Sequence, residues 1–109
     1  MTVYYEDTNL RITKVDHMGP YDNNGFVLSC RKTGDGVIID APLESNRLLD
    51  EARGLNIKAV IITHQHRDHT AELDNIIKNI SPLEVVCHVD DASGLPIVPT
   101  ITLLDDDVY

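Results

Sequence analysis

The run Thr63-His64-Gln65-His66-Arg67-Asp68-His69-Thr70 holds three imidazoles and one carboxylate within six positions. The whole chain has only five histidines, so this window is strongly enriched. His64 and His66 stand two apart, and in an extended segment such positions point the same way, so both rings can reach one ion. Asp68 and His69 follow, where a turn of the backbone can aim them at a neighbouring point. Imidazole with carboxylate suits zinc, in one or two ions, with iron or manganese also admissible. A structural zinc knot usually draws on cysteine and closes four positions, and Cys30 and Cys87 are far from the run. The zincin pattern His-Glu-x-x-His is absent from the sequence. A tag would be contiguous and terminal, which this run is not. The bland alternative, a loop of inconsequential surface histidines, has to explain why three of five fall beside one aspartate.

The elements that must position this run are legible in the hydrophobic pattern. Ile57 to Thr63 is nearly all apolar at its centre and rich in β-branched residues, as a strand buried on both faces should be. After the run, Leu73, Ile76, Ile77 and Ile80 fall at helical spacing, and Ser81-Pro82 ends that helix. Upstream, Leu10 to Val15 alternates in the manner of a strand with one wet face. Asp16 to Gly25 reads as a loop, and Gly25 to Arg31 as a second strand. The turn Thr33-Gly34-Asp35-Gly36 leads into a third strand, Gly36 to Asp40. Ala41-Pro42 breaks it. Glu44 to Arg53 predicts a helix stopped at Gly54. Leu83 to Val89 is a further strand, Asp90 to Pro99 a loop with a short turn at Asp91 to Gly94, and Ile101 to Tyr109 opens another element. Hairpins followed by βαβ units predict an α/β (α+β) fold, a mixed sheet with helices on one face. Val60, Ile61 and Ile62 need cover on both sides, and two helices supply it on only one.

At 109 residues the sequence fits one domain, 1–109. The net charge of −9 repels phosphate backbones and anionic membrane surfaces, so neither nucleic acid nor membrane is an expected partner. No apolar run approaches the roughly 20 residues of a membrane span, and Met1 to Asp7 does not resemble a signal peptide. Cys30 and Cys87 lie in apolar runs and are expected to be buried, reduced thiols in a cytoplasmic protein. His88, at the end of its strand, could lie near the metal run. As a single histidine it is more simply structural. His17 belongs to the polar loop.

His-x-His-x-Asp-His directly after an apolar strand and before an amphipathic helix resembles the signature of the metallo-β-lactamase superfamily. The strand ending Val37-Ile38-Ile39-Asp40 is similar to that family's, and the resemblance runs from about Leu10 to Tyr109. The motif is specific for the superfamily and says little about substrate. Thioester hydrolases of the glyoxalase II type have a similar N-terminal half. The resemblance implies the first half of an αββα sandwich. It implies His64 and His66 on a first metal, Asp68 and His69 on a second, and Asp40 supporting the metal loop from behind, as metal ligands require. Thr63 and Thr70 would hydrogen-bond within the loop. It also implies a zinc-dependent hydrolase of a small molecule, in which water activated by the metal attacks a thioester, ester, lactone or lactam, with Asp68 orienting the nucleophile. The family's later half supplies a third histidine, a bridging aspartate and a last histidine, and these find no match in the sequence. Two protein ligands per ion, where catalytic zinc has three, imply weak metal binding and poor catalysis by this chain alone. Two other readings share the motif. One is an iron-dependent oxidoreductase of the same fold, of the persulfide dioxygenase or flavodiiron type. The other is a non-catalytic half-domain that forms a homodimer through the uncovered sheet face.

Overall fold

A computed structural model describes residues 2–109. They form one mixed sheet of seven strands whose spatial order is the chain order. The strands are β1 (Thr2–Glu6), β2 (Leu10–Met18), β3 (Asn23–Cys30), β4 (Asp35–Ile39), β5 (Asn56–Ile62), β6 (Glu84–His88) and β7 (Ile101–Leu103). β1 to β4 pair antiparallel, and β4 to β7 pair parallel. Helix α1 (Asn46–Ala52) crosses from β4 to β5, and α2 (Arg67–Thr70) and α3 (Leu73–Asn79) cross from β5 to β6. This is the predicted class, a mixed sheet with its helices against one face.

The register explains the two faces. Thr13, Val27, Ile38, Val60 and Val85 stand opposite one another across five strands. All five are buried, beneath Leu48 and Ala52 of α1 and Leu73 and Ile76 of α3. The next row, Lys14, Phe26, Ile39, Ile61, Val86 and Ile101, points the other way because strand side chains alternate. There Phe26, Ile39 and Ile61 are only half-buried. One apolar face is therefore sealed and the other is not. On the sealed side Gly25 lets α1 come close: a Cβ there would lie 2.8 Å from a Leu48 methyl.

Several boundaries move for identifiable reasons. The expected loop Asp16 to Gly25 shrinks to four residues, because a bulge between Val15 and Met18 keeps the polar Asp16-His17 pair inside β2. His17 takes a left-handed backbone at φ 53° there, and Met18 returns to the core. β1 was not anticipated. Its residues Thr-Val-Tyr-Tyr-Glu have strand propensity but are all exposed, so no burial pattern marks them. α1 starts two residues late, because Glu44 is left-handed at φ 66°. The helix expected after the metal run is α3, and a further short helix, α2, lies within the run itself, the two separated at Glu72. Its backbone N–H is spent on the Ala41 carbonyl, and its carboxylate accepts from the Ser45 N–H. The short turn expected at Asp91 to Gly94 is a 3-10 helix over Val89–Gly94. Cys87 is buried as expected, whereas Cys30, the last residue of β3, is half-exposed. Among the described residues no helix is long and apolar enough to cross a membrane.

Candidate metal centre

β4 and β5 are neighbouring parallel strands, so their C-terminal ends lie at the same edge of the sheet. At such edges α/β folds place their ligands. β4 delivers Asp40 there and β5 delivers the run from Thr63 onward. The Asp40 N–H still donates to the Ile61 carbonyl at 2.9 Å, tying the two strand ends together. Its backbone then turns left-handed at φ 66°, a conformation that Asp and Asn tolerate better than most residues. That turn carries the carboxylate beneath the metal run, where Asp40 is only 4% exposed.

The buried carboxylate organises the loop above it. Oδ1 accepts the Thr63 N–H at 2.8 Å, Oδ2 accepts the Thr63 hydroxyl at 2.7 Å, and Oδ2 also accepts His69 Nδ1–H at 2.9 Å. The Thr63 hydroxyl has one proton and gives it to Asp40. Its 3.2 Å contact with His64 Nδ1 therefore has the imidazole as donor. In the neutral tautomer that these contacts favour, both rings spend Nδ1–H on their partners and keep the lone pair on Nε2. This is the orientation that a support residue imposes on metal-binding histidines.

The four expected ligands are brought together. The His64 ring centroid lies 3.9 Å from that of His69 and 4.7 Å from that of His66. Asp68 Oδ2 stands 3.7 Å from His69 Nε2. His66 caps α2, with its carbonyl accepting the His69 N–H, so the tight turn after the extended pair folds Asp68 and His69 back. The His69 carbonyl accepts from Ala41, which fixes the other end of the turn. Among the described residues, no three His, Cys, Asp or Glu side chains form a ready-made cage for one ion. The contacts present are pairwise: His64 with His66, His64 with His69, and Asp68 with His69. Thr63 bonds within the loop as expected, and Thr70 is buried.

Other residues hold the run without having been foreseen. Asp91, from the 3-10 helix, accepts the Gln65 N–H at 3.0 Å, between the two histidines that must stay extended. Gly94 lies under the Gln65 side chain, where a Cβ would overlap Oε1 at 1.5 Å. Asn23 of β3 donates to the Asp68 carbonyl at 3.4 Å. These partners come from 26 to 45 positions away, so only the folded topology reveals them. His88 is held elsewhere, accepting the Asp90 N–H at Nδ1 and bonding Asp105 at 2.9 Å through Nε2. His17 pairs with Asp22. A cavity of about 500 Å³ opens beside the run, between Met18, Pro20, Tyr21 and Leu43, and Arg67 and Asp68 reach into it.

Residues 18–104 match the family model of the metallo-beta-lactamase superfamily. The chain is 27% identical over 89 residues to a hydroxyacylglutathione hydrolase of Chromohalobacter salexigens, spanning 80% of this chain and 34% of that enzyme. It superposes on the B3 metallo-beta-lactamase BLEG-1 with a TM-score of 0.72 at 21% identity, covering 87% of this chain and 54% of that one. It superposes on the chemotaxis sensor ODP, solved as a peroxy diiron species, with a TM-score of 0.75 at 17% identity, covering 99% and 47%. The chain thus spans about a third of that curated relative and about half of those solved structures.

Proposed function

The chain belongs to the metallo-beta-lactamase superfamily, and on that premise we propose that it carries the first ligand set of a zinc-dependent hydrolase acting on a thioester or related acyl bond. The observation that supports this reading is the cluster of three imidazoles over one buried carboxylate. Asp40 spends its acceptors on Thr63 and His69, and the Nε2 atoms of His64 and His69 are left as ligands. The donor set suits zinc in both atom type and protonation. His64 and His66 would hold one ion, and Asp68 and His69 a neighbouring one. When bound, such an ion supplies a Lewis acid and brings the pKa of a coordinated water towards neutrality. Asp68 would accept a hydrogen bond from the attacking water and orient it towards the acyl carbon. Asp40 would keep the rings in one tautomer throughout. The relative named as a hydroxyacylglutathione hydrolase favours a thioester over an ester, lactone or lactam.

The test is binding, which reads the ligand set directly. Zinc titrated calorimetrically into the metal-free chain is expected to bind, with affinity reduced at least about tenfold by His64→Ala. Equal affinity in that variant refutes the assignment. A second reading, an iron-dependent oxidoreductase, draws support from the diiron sensor that the chain matches over 99% of its length. Iron retained after expression without added metal, together with oxygen uptake, would favour it over zinc hydrolysis. The expected partner is a small molecule, and the half-buried Phe26, Ile39 and Ile61 face suits a second copy or a further layer. The free Cys30 and Cys87 fit a reducing, cytoplasmic setting.

A further inference from the structure

Arg67 stands inside the metal run but is not a metal ligand, since a guanidinium has no lone pair to give. It is also the one arginine in the chain without a partner among the described residues. Arg11 and Arg31 pair with Glu6, Arg47 with Glu44, and Arg53 with Asp50. A chain with 18 acidic residues and net charge −9 has carboxylates to spare, yet none reaches Arg67. Arg67 is exposed and lines the cavity of about 500 Å³ beside the run, together with Met18, Pro20, Tyr21, Asn23, Leu43 and Ala71. That wall is mostly apolar, and Asn23 within it is engaged as a donor to the Asp68 carbonyl. The nearest acid in the lining is Asp68, which the proposed function commits to a metal.

We infer that Arg67 is a specificity residue: it binds an oxyanion, carboxylate or phosphate, on a substrate whose apolar arm lies in this cavity. The inference rests on the metallo-hydrolase reading for its word "substrate", but the anion site itself can be tested without metal. The guanidinium fork matches both oxyanions in two parallel hydrogen bonds, and a neutral amide cannot accept both. The substrate class is therefore an acyl compound with an aliphatic or aromatic arm and an acidic group, the scissile bond lying towards His64 and Asp68. Position matters as much as charge. Arg67 sits between His66 and Asp68, so an anion held there fixes the distance between the ligand's acidic end and the metal run.

The experiment uses the ¹⁵N-labelled chain, freed of metal on a chelating resin, with hexanoate, hexanamide and hexyl phosphate as probes. Hexanoate is expected to shift the Arg67 Nε–H resonance and the Tyr21 and Ala71 amides. It should bind about fivefold more tightly than hexanamide, the difference typical of a solvent-accessible charge pair. Arg67→Gln should bring that ratio to about one, and Arg67→Lys should retain part of it. Hexyl phosphate binding more tightly than hexanoate would identify phosphate as the natural oxyanion, and the reverse would identify carboxylate; either supports the site. Hexanamide binding as well as hexanoate, an unchanged preference in Arg67→Gln, or no shifts with any probe overturns it. Zinc binding is measured on separate samples, so loss of the metal reading and loss of the anion site are distinguishable.

Discussion

Replacing Asp40 separates support of the metal loop from support of the fold. The carboxylate is 4% exposed and serves the Thr63 N–H, the Thr63 hydroxyl and His69 Nδ1–H. Asp40→Ala removes the carboxylate acceptor of two part-buried N–H donors, at about 1–3 kcal/mol each, and places alanine at φ 66° for about 1 kcal/mol more. The expected loss is about 3–7 kcal/mol, a large part of the 5–15 kcal/mol typical of a domain. Asp40→Asn is gentler, because asparagine tolerates the left-handed backbone and keeps one acceptor oxygen. Its amide NH₂ must then face either Thr63 or His69, costing about 1–3 kcal/mol and freeing one imidazole to change tautomer. Urea unfolding should rank wild type above Asn and Asn above Ala. Calorimetry should show zinc affinity falling about 10–100-fold in Asp40→Asn while the fold persists. An Asn variant that binds zinc like wild type, or two variants equally destabilised, refutes the reasoning.

Further outcomes follow from other contacts. Gly25→Ala should cost about 1–3 kcal/mol in urea unfolding, since its Cβ would lie 2.8 Å from a Leu48 methyl, and a neutral result would contradict the close seating of α1. Asp91→Ala removes the acceptor for the Gln65 N–H, so zinc affinity should fall about tenfold with little change in melting temperature. The Thr33 hydroxyl and backbone amides lower the Cys30 thiol pKa, whereas burial, with Asp91, raises that of Cys87. The thiolate is the reactive form, so Cys30 should alkylate with a pH midpoint below the roughly 8.5 of a free thiol, and Cys87 only on unfolding. The opposite order by mass spectrometry would contradict this.

The parts of the site that could be read from the residues are those set by short-range periodicity. The β-branched core of β5 and the alternation of His64 and His66 are local patterns, and both survive in the fold. The row Leu73, Ile76, Ile77 and Ile80 was equally legible and forms α3, but the short α2 inside the run was not, because Ala41 and Ser45 hold Glu72 beyond its end from 27 or more positions away. β1 lacks any alternation of burial, so its pairing with β2 left no mark in the pattern. The bulge at His17 hid the end of β2 behind residues that look like a loop. Asp91 and Gly94 act on the run only because β6 lies beside β5. Cys30 sits in an apolar run, yet it is the last residue of its strand and is only half-buried.

If His64 and His66 hold one ion and His69, with Asp68, holds its neighbour, imidazole ¹⁵N resonances followed through a zinc titration will report it directly. His17 and His88, bonded to Asp22 and Asp105, serve as internal references. Zinc should move the ring nitrogens of His64, His66 and His69 and leave those of His17 and His88 in place. Equal movement of all five histidines, or none in the run, would contradict it.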